Sequence, residues 1–157
     1  MYSAKTEELS VVNARESKRS VYRPTTRGLC IVMVCTDMSE AEQVARRLLE
    51  LNSGCLVTYR RAEDLLCNSP TGRVALIILA TEEKPSVLTR TLKWLGHRWP
   101  GCPITVVGEA GSTDSEMAAR QGGALYLTRP VAAKEWTALF AHVLGSVSRI
   151  DQREAPR

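Results

Sequence analysis

Five short apolar runs, each followed by a stretch with helical spacing, constrain the fold of this chain more than any other feature. The runs are LCIVMVC (29–35), CLVTY (55–59), VALIIL (74–79), ITVV (104–107) and ALYL (124–127). Each is almost free of charged residues, which is typical of strands that are buried on both faces of a parallel sheet. Because parallel strands joined by helices take right-handed crossovers, helices should cover both faces. We therefore predict a doubly wound α/β fold with a five-stranded parallel sheet.

The helices between these runs are predicted from apolar stripes and from residues that favour helix ends. Ser39 and Glu42 have the spacing of a capping box, and so do Thr113 and Glu116. Pro85 is well suited to the first turn of a helix. The five helices are expected to begin near Ser39, Arg61, Pro85, Thr113 and just after Pro130.

The charged residues divide the chain into a body and two tails. The net charge of the whole chain is +4, of which 1–27 carries +3 and 148–157 carries +1. The body, 28–147, therefore has no excess of positive charge to attract a phosphate backbone, and nucleic-acid binding is not expected of it. We predict a flexible basic arm at 1–27, one domain at 28–147 and a polar tail at 148–157.

Cysteine and histidine usage indicates a reducing compartment without a metal site. The chain has five cysteines and two histidines, with no C-x-x-C pair and no His near a Cys in a ligand spacing. It also has no apolar signal-peptide core and no run of about 20 apolar residues. We predict a cytoplasmic protein without a membrane span, a metal or a cofactor.

Reactive groups in such sheets gather at the carboxyl ends of the strands, so a motif with a chemical role is expected there. No phosphate-binding glycine motif follows a strand, and GEAG (108–111) is interpreted as a turn. Cys35 ends the first run, but no histidine is near a strand end to activate a thiol. Four carboxylates fall just beyond strand ends and could share one edge of the sheet, although their spacing matches no metal motif: Asp37, Glu82, Glu83 and Glu109.

The order of elements, together with ALYLTRPV (124–131), resembles the receiver domains of two-component response regulators. The resemblance covers about 28–147 and implies a flavodoxin-like sheet with strand order 2-1-3-4-5. In that family, two acidic residues after the first strand bind Mg²⁺, and an aspartate that ends the third strand accepts a phosphoryl group. A Ser or Thr after the fourth strand and a Lys–Pro pair after the fifth respond to it.

This sequence departs from the family at most of those positions. The acidic pair corresponds to Cys35 and Thr36, with Asp37 next to them, and the acceptor corresponds to Ala80. The hydroxyl position corresponds to Gly108, followed by Glu109, and the lysine corresponds to Arg129 before Pro130, where the resemblance implies a cis bond. Without a carboxylate nucleophile or an oxygen pair for Mg²⁺, aspartyl phosphorylation is not expected.

The resemblance therefore implies a pseudo-receiver: a signal-transduction protein that acts through protein–protein interaction, independently of phosphorylation and without enzymatic activity. Arg129 is expected to pair with Glu109 or Glu82 and so to hold the strand ends together without phosphate. The partner would be another signalling protein, such as a regulator, a kinase or a scaffold.

Receivers commonly use their fourth helix, fifth strand and fifth helix as an output or dimer face. The corresponding residues here are Glu116, Arg120, Tyr126, Lys134 and Glu135. Charged residues around an exposed aromatic are typical of a modest interface, and a homodimer through this face is one possibility.

Three other function classes remain open from the sequence. The first is a sensor in which the space beside Ala80 and Gly108, with Arg129 as a cation, binds a small ligand or a nucleotide. The second is an enzyme on the same scaffold, although no pair of nucleophile and base is visible. The third is salt-sensitive nucleic-acid binding by the basic arm.

Overall fold

The computed structural model describes residues 19–22, 29–51 and 55–154. Within them the chain forms six strands and five helices. In chain order these are β1 (Arg19–Tyr22), β2 (Leu29–Cys35), α1 (Met38–Glu50), β3 (Cys55–Tyr59), α2 (Ala62–Cys67), β4 (Arg73–Ala80), α3 (Pro85–Arg98), β5 (Ile104–Gly108), α4 (Thr113–Gln121), β6 (Leu125–Thr128) and α5 (Ala133–Glu154).

The strands form one sheet in the order β1-β3-β2-β4-β5-β6. The strands from β2 to β6 are parallel, and β1 runs antiparallel to β3 at one edge. The five parallel strands thus have the order 2-1-3-4-5 when they are counted by themselves. This confirms the predicted doubly wound fold and adds a sixth strand to it.

The strand β1 lies within the segment that the sequence analysis assigned to a flexible arm. Residues 19–22 pair with 56–59, so these four residues belong to the sheet. A run as short as RSVY carries little signal of its own, and its conformation depends on pairing with the exposed edge of β3. The remainder of the predicted arm, 1–18 and 23–27, lies outside the described residues.

The predicted polar tail also differs in part. Residues 148–154 continue α5, whereas 155–157 lie outside the described residues. Among the described helices, none is long and apolar enough to cross a bilayer.

Two hydrophobic cores lie on opposite faces of the sheet, as the alternating side chains of β2 illustrate. Ile31, Met33 and Cys35 face α1 and α5, where the stacked rings of Trp136 and Phe140 fill the first core. The side chains between them in β2 face the second core, which is covered by α2, α3 and α4. The sheet is therefore buried on both faces, and its parallel strands present their free carboxyl ends at a single edge.

Two helices begin differently from the predicted capping boxes. Asp37 is the N-cap of α1, and its Oδ1 accepts a hydrogen bond from the backbone N–H of Ser39 at 2.9 Å. In α4 the N-cap is Ser112, so Thr113 is the first residue of the helix and not its cap. The side chain of Ser112 makes no capping hydrogen bond. An aspartate before the predicted cap competes for the same role, because Asp and Ser cap helices equally well.

Candidate functional site

The carboxyl ends of four strands bring the predicted pocket residues to one edge of the sheet. Cys35 at the end of β2 is in register with Ala80 at the end of β4, and Gly108 of β5 is in register with Thr128 of β6. Cys35 and Ala80 are each only 2% exposed. The middle of this edge therefore presents a thiol and a methyl group, and neither of these is a carboxylate.

The thiol of Cys35 is poorly suited to act as a nucleophile. Burial, with a further contribution from the nearby carboxylates of Glu40 and Asp37, raises the pKa of Cys35 to about 12. The guanidinium of Arg129 opposes this shift but does not outweigh burial. Because the thiolate is the reactive form, Cys35 is protonated and inert near neutral pH.

Arg129 is the centre of the hydrogen bonds at this edge. Its Nε donates to Oε2 of Glu40 at 3.0 Å, and its Nη2 donates to Oε1 of Glu40 at 3.2 Å and to the carbonyl oxygen of Ala80 at 2.9 Å. Its Nη1 donates to Oε1 of Glu109 at 3.2 Å. We call these four residues, Arg129, Glu40, Glu109 and Ala80, the Arg129 cluster.

The Arg129 cluster is partly shielded from solvent on one side. The side chain of Glu40 is 13% exposed and that of Arg129 is 22% exposed, whereas that of Glu109 is 54% exposed. The hydrogen bond from Arg129 to Glu40 is the main reason why the pKa of the guanidinium is raised above its ordinary value. The two-point pair with Glu40 is therefore the stronger contact, and Glu109 adds a weaker one at the rim.

One predicted partner of Arg129 is present and the other is not. The pair with Glu109 forms, but the described contacts include no ion pair between Arg129 and Glu82, which is exposed in the loop after β4. Glu40 takes that place from the first turn of α1. The sequence analysis missed Glu40 because it lies inside a helix, past the loop residues that directly follow β2. The available signal was that an acidic residue one turn into a helix after β2 points back toward the sheet edge.

The two residues after Cys35 lie at the surface. Asp37 is exposed, and the backbone N–H of Ser39 lowers the pKa of its carboxyl group. Thr36 is also exposed, and both residues line an open cleft of about 600 Å³. Because its carboxylate accepts the hydrogen bond from Ser39, Asp37 is already engaged as the N-cap of α1.

The four carboxylates that follow strand ends border this cleft. Asp37, Glu82, Glu83 and Glu109 all line it, together with the basic side chains of Arg60, Arg61 and Arg129. In the described part of the chain, no three acidic, His or Cys side chains are arranged to hold a metal ion. Within this cleft the carboxylates are interspersed with guanidinium groups.

Tyr126 is buried, which corrects the prediction of an exposed aromatic on the output face. It is 8% exposed, and its hydroxyl donates to the carbonyl oxygen of Glu109 at 3.2 Å. Burial raises the pKa of this hydroxyl. The ring occupies the space beside Gly108, where a Cβ atom would collide with the hydroxyl of Tyr126. Glycine at position 108 thus permits the buried position of the tyrosine.

The other residues of the predicted face are at the surface with local partners. Arg120 pairs with Glu116 one turn away on α4, with Nη2 and Oε1 2.9 Å apart. Lys134 is exposed, and Oε2 of Glu135 accepts a hydrogen bond from the backbone N–H of Ala132 at the start of α5. The exposed apolar side chains on α4 and β6 are instead Met117 and Leu125, at 53% and 47%. The sequence analysis missed both because each occurs within an otherwise ordinary amphipathic pattern.

Pro130 completes the list of predicted pocket residues. The bond between Arg129 and Pro130 is cis, as the resemblance implied. Pro130 lines a smaller cavity next to Glu40 and Trp136, on the α5 side of the Arg129 cluster.

Comparisons with known proteins find similar structures but no similar sequence. No protein-family model and no curated relative matches the sequence. Solved structures do match: a chemotaxis response regulator of Vibrio cholerae has a TM-score of 0.61 at 16% identity, covering 75% of this chain and 99% of that one. The signal receiver domain of an HD domain-containing protein from Pseudomonas fluorescens has a TM-score of 0.64 at 19% identity, covering 83% and 97%.

An uncharacterised protein from Neptuniibacter caesariensis is also similar, with a TM-score of 0.68 at 15% identity over 85% of this chain and all of that one. Identities this low do not carry residue roles from one protein to another. The matches show that this chain has the fold of a response-regulator receiver domain.

Proposed function

We propose that this receiver-like domain is a phosphorylation-independent signal-transduction module that acts by binding another protein. The observation that carries the proposal is the middle of the carboxyl edge, where buried Cys35 and Ala80 stand side by side and Arg129 holds Glu40, Glu109 and the carbonyl of Ala80.

The chemistry of phosphoryl transfer supports this reading. An aspartyl phosphate needs a carboxylate nucleophile and a metal ion to offset the charge of the phosphoryl group. Ala80 has a methyl group, and the thiol of Cys35 has a pKa of about 12. Glu40 already accepts two hydrogen bonds from Arg129, and Asp37 caps α1. The carboxylates of Glu40 and Asp37 are thus engaged in structural contacts.

The Arg129 cluster also gives a physical basis for a fixed state. Its hydrogen bonds connect the start of α1, the end of β4, the loop after β5 and the loop after β6. In a phosphorylated receiver, a phosphoryl group would have to gather these segments. Here the guanidinium gathers them, so the domain needs no covalent modification to hold one arrangement of the edge.

The test is incubation of the purified protein with acetyl phosphate and Mg²⁺, followed by intact mass measurement. We expect no phosphoryl adduct, while a phosphorylatable receiver treated in parallel acquires one. The absence of an adduct on this chain counts only when the parallel receiver gains one, because an unchanged mass of both proteins would mean that the reaction had failed. A stoichiometric adduct on this chain would contradict the proposal.

The proposed contact face consists of α4, β6 and the start of α5. It combines the exposed apolar side chains of Met117 and Leu125 with the charged pair Glu116–Arg120 and with Lys134. Apolar side chains ringed by charges are typical of modest protein interfaces, either with a different protein or with a second copy of this chain.

Met117→Glu tests this face without touching a core, because Met117 is exposed. We expect it to weaken a homodimer in light scattering or the capture of a purified signalling partner. Arg46→Glu, at an exposed position of α1 outside this face, is the matched control. If both variants behave like the unmodified protein, the face is wrongly assigned.

The open cleft of about 600 Å³ beside the Arg129 cluster supports a second candidate function, a sensor for a small ligand or nucleotide. Arg60 and Arg61 line it and could contact an anion. Calorimetric titration with cyclic nucleotides separates the two functions, since binding that is lost in Arg60→Gln and Arg61→Gln would favour the sensor.

A further inference from the structure

The amino ends of the strands, at the opposite edge of the sheet, border a second groove. It has a volume of about 740 Å³ and passes beneath the first residues of β4, β5 and β6. Residues at the end of α3 form one side and residues in the middle of α5 form the other. This groove is therefore separated from the Arg129 cluster by the length of the strands.

The walls of this groove are largely apolar and incompletely buried. Val74, Trp99, Ile104 and Leu139 are half-buried, and Leu125 is 47% exposed. Apolar surface that remains in water is unfavourable, and a concave apolar surface of about 300 to 1,000 Å³ is the usual form of a small-molecule site. The size and lining suit a ligand with an apolar body.

Arg98 at the rim gives the groove its positive charge. The described lining also includes Arg73 and His142, but both of these already interact with other groups. The guanidinium of Arg98 lies over the ring of Trp99, at 4.8 Å from the ring centroid, which orients it at the rim.

We propose that this groove binds a small amphipathic anion, with an aromatic or aliphatic body against the apolar walls and a single carboxylate, sulfonate or phosphate group near Arg98. Charge complementarity and the apolar lining together select this class over a neutral apolar compound and over a strongly polar nucleotide. The proposal is independent of phosphorylation, and the groove shares Leu125 with the proposed contact face.

A fluorescent probe of this chemistry tests the proposal directly. Anilinonaphthalene sulfonate has an aromatic body and one anionic group, and phenylnaphthylamine is a neutral counterpart. We expect the sulfonate to bind the folded protein with one saturable site and at least about tenfold more tightly than the neutral compound, because a charge-assisted hydrogen bond to an anion is worth roughly 1.5 to 3 kcal/mol.

Two variants locate the site. Arg98→Gln should weaken binding of the sulfonate about three- to tenfold and leave the neutral compound unaffected. Leu125→Glu, a change at an exposed position that adds a carboxylate to the groove, should weaken the sulfonate more than the neutral compound. Arg46→Gln, on the exposed side of α1, is the matched control and should change nothing.

Circular dichroism of each variant checks that the fold is retained, so that a loss of binding is assigned to the groove. Equal affinities for the two probes, or sulfonate affinities that are unchanged in both Arg98→Gln and Leu125→Glu, would overturn the proposal.

Discussion

Arg129 joins separate segments of the chain through one guanidinium group, and its two carboxylate partners are not equivalent. Glu40 is mostly buried and accepts two hydrogen bonds, while Glu109 is more than half exposed and accepts one. A pair that is shielded from water is costly to break, because the remaining charge is left without its partner. A solvent-exposed pair contributes little.

This difference predicts an ordered effect of two matched substitutions. Glu40→Gln should lower the free energy of unfolding by about 1–3 kcal/mol, since Arg129 loses a buried charged partner. Glu109→Gln should lower it by less than about 1 kcal/mol. Urea unfolding of the two variants measures both values, and equal losses would contradict the assignment of Glu40 as the principal partner.

Arg129→Ala removes the whole cluster and tests its role in ordering the edge. We expect faster hydrogen exchange in residues 108–113, because the side chain of Arg129 holds this loop through its contact with Glu109. Exchange in the last two turns of α3, which end at the opposite edge of the sheet, serves as the internal reference. Unchanged exchange in 108–113 would show that the cluster does not order the loop.

Gly108 and Tyr126 form a second coupled pair at this edge. A methyl group at position 108 would meet the hydroxyl and ring of Tyr126, so Gly108→Ala should cost about 1–3 kcal/mol of stability through overpacking. Tyr126→Phe removes the hydroxyl and should relieve part of that cost. A double-mutant cycle measures the coupling, and strictly additive effects would mean that the two side chains do not compete for space.

At the scale of single elements, α1 connects the sheet edge to the first core. Its buried residues Ala41, Val44, Ala45 and Leu48 pack on the face that holds Cys35, and its first turn places Glu40 against Arg129. The first turn of α1 therefore both begins the helix and contributes Glu40 to the candidate site. Its N-cap, Asp37, determines where the helix begins.

Asp37→Ala should lower the thermal midpoint of unfolding near neutral pH, because the amide of Ser39 loses its acceptor. The capping hydrogen bond lowers the pKa of Asp37, so its contribution is present above the ordinary aspartate pKa and is lost as the pH falls through the lowered value. The difference between Asp37→Ala and the unmodified protein should therefore shrink in acid.

Asp37→Asn is the matched control, since asparagine caps helices without a titrating charge. Thermal melts of the three proteins at neutral and acidic pH measure the effect. A difference between Asp37→Ala and the unmodified protein that persists unchanged in acid would contradict the role of the charged cap.

For the molecule as a whole, the antiparallel strand β1 closes one edge of the sheet. Without it, the edge of β3 would present unpaired backbone groups along 56–59, which favours association between chains. Removal of residues 1–18 leaves this strand intact, whereas removal of residues 1–22 exposes the edge.

We therefore expect the longer truncation to lower the thermal midpoint and to increase aggregation relative to the shorter one. Light scattering during thermal unfolding compares the two proteins. Equal midpoints and equal scattering would mean that pairing of β1 with β3 contributes nothing to the stability of the domain.

Local sequence patterns were enough to predict the five parallel strands and the helices that cover them. Long apolar runs such as 29–35 and 74–79 can be buried on both faces only in the middle of a parallel sheet, and short connections leave little choice of topology. For the same reason the pattern placed Cys35, Ala80, Gly108 and Arg129 at one edge. The short strand 19–22 could not be recognised, because its conformation comes from a neighbour distant in sequence.

The composition of the site depended on contacts between elements far apart in the chain. Glu40 reaches Arg129 across 89 positions, Tyr126 turns inward because Gly108 leaves room for it, and the groove at the amino edge is assembled from α3, α5 and three strands. Hydrophobic periodicity is a property of neighbouring residues and specifies which face of an element is buried. Which polar side chains then meet depends on how the buried faces pack, and only the folded chain decides that.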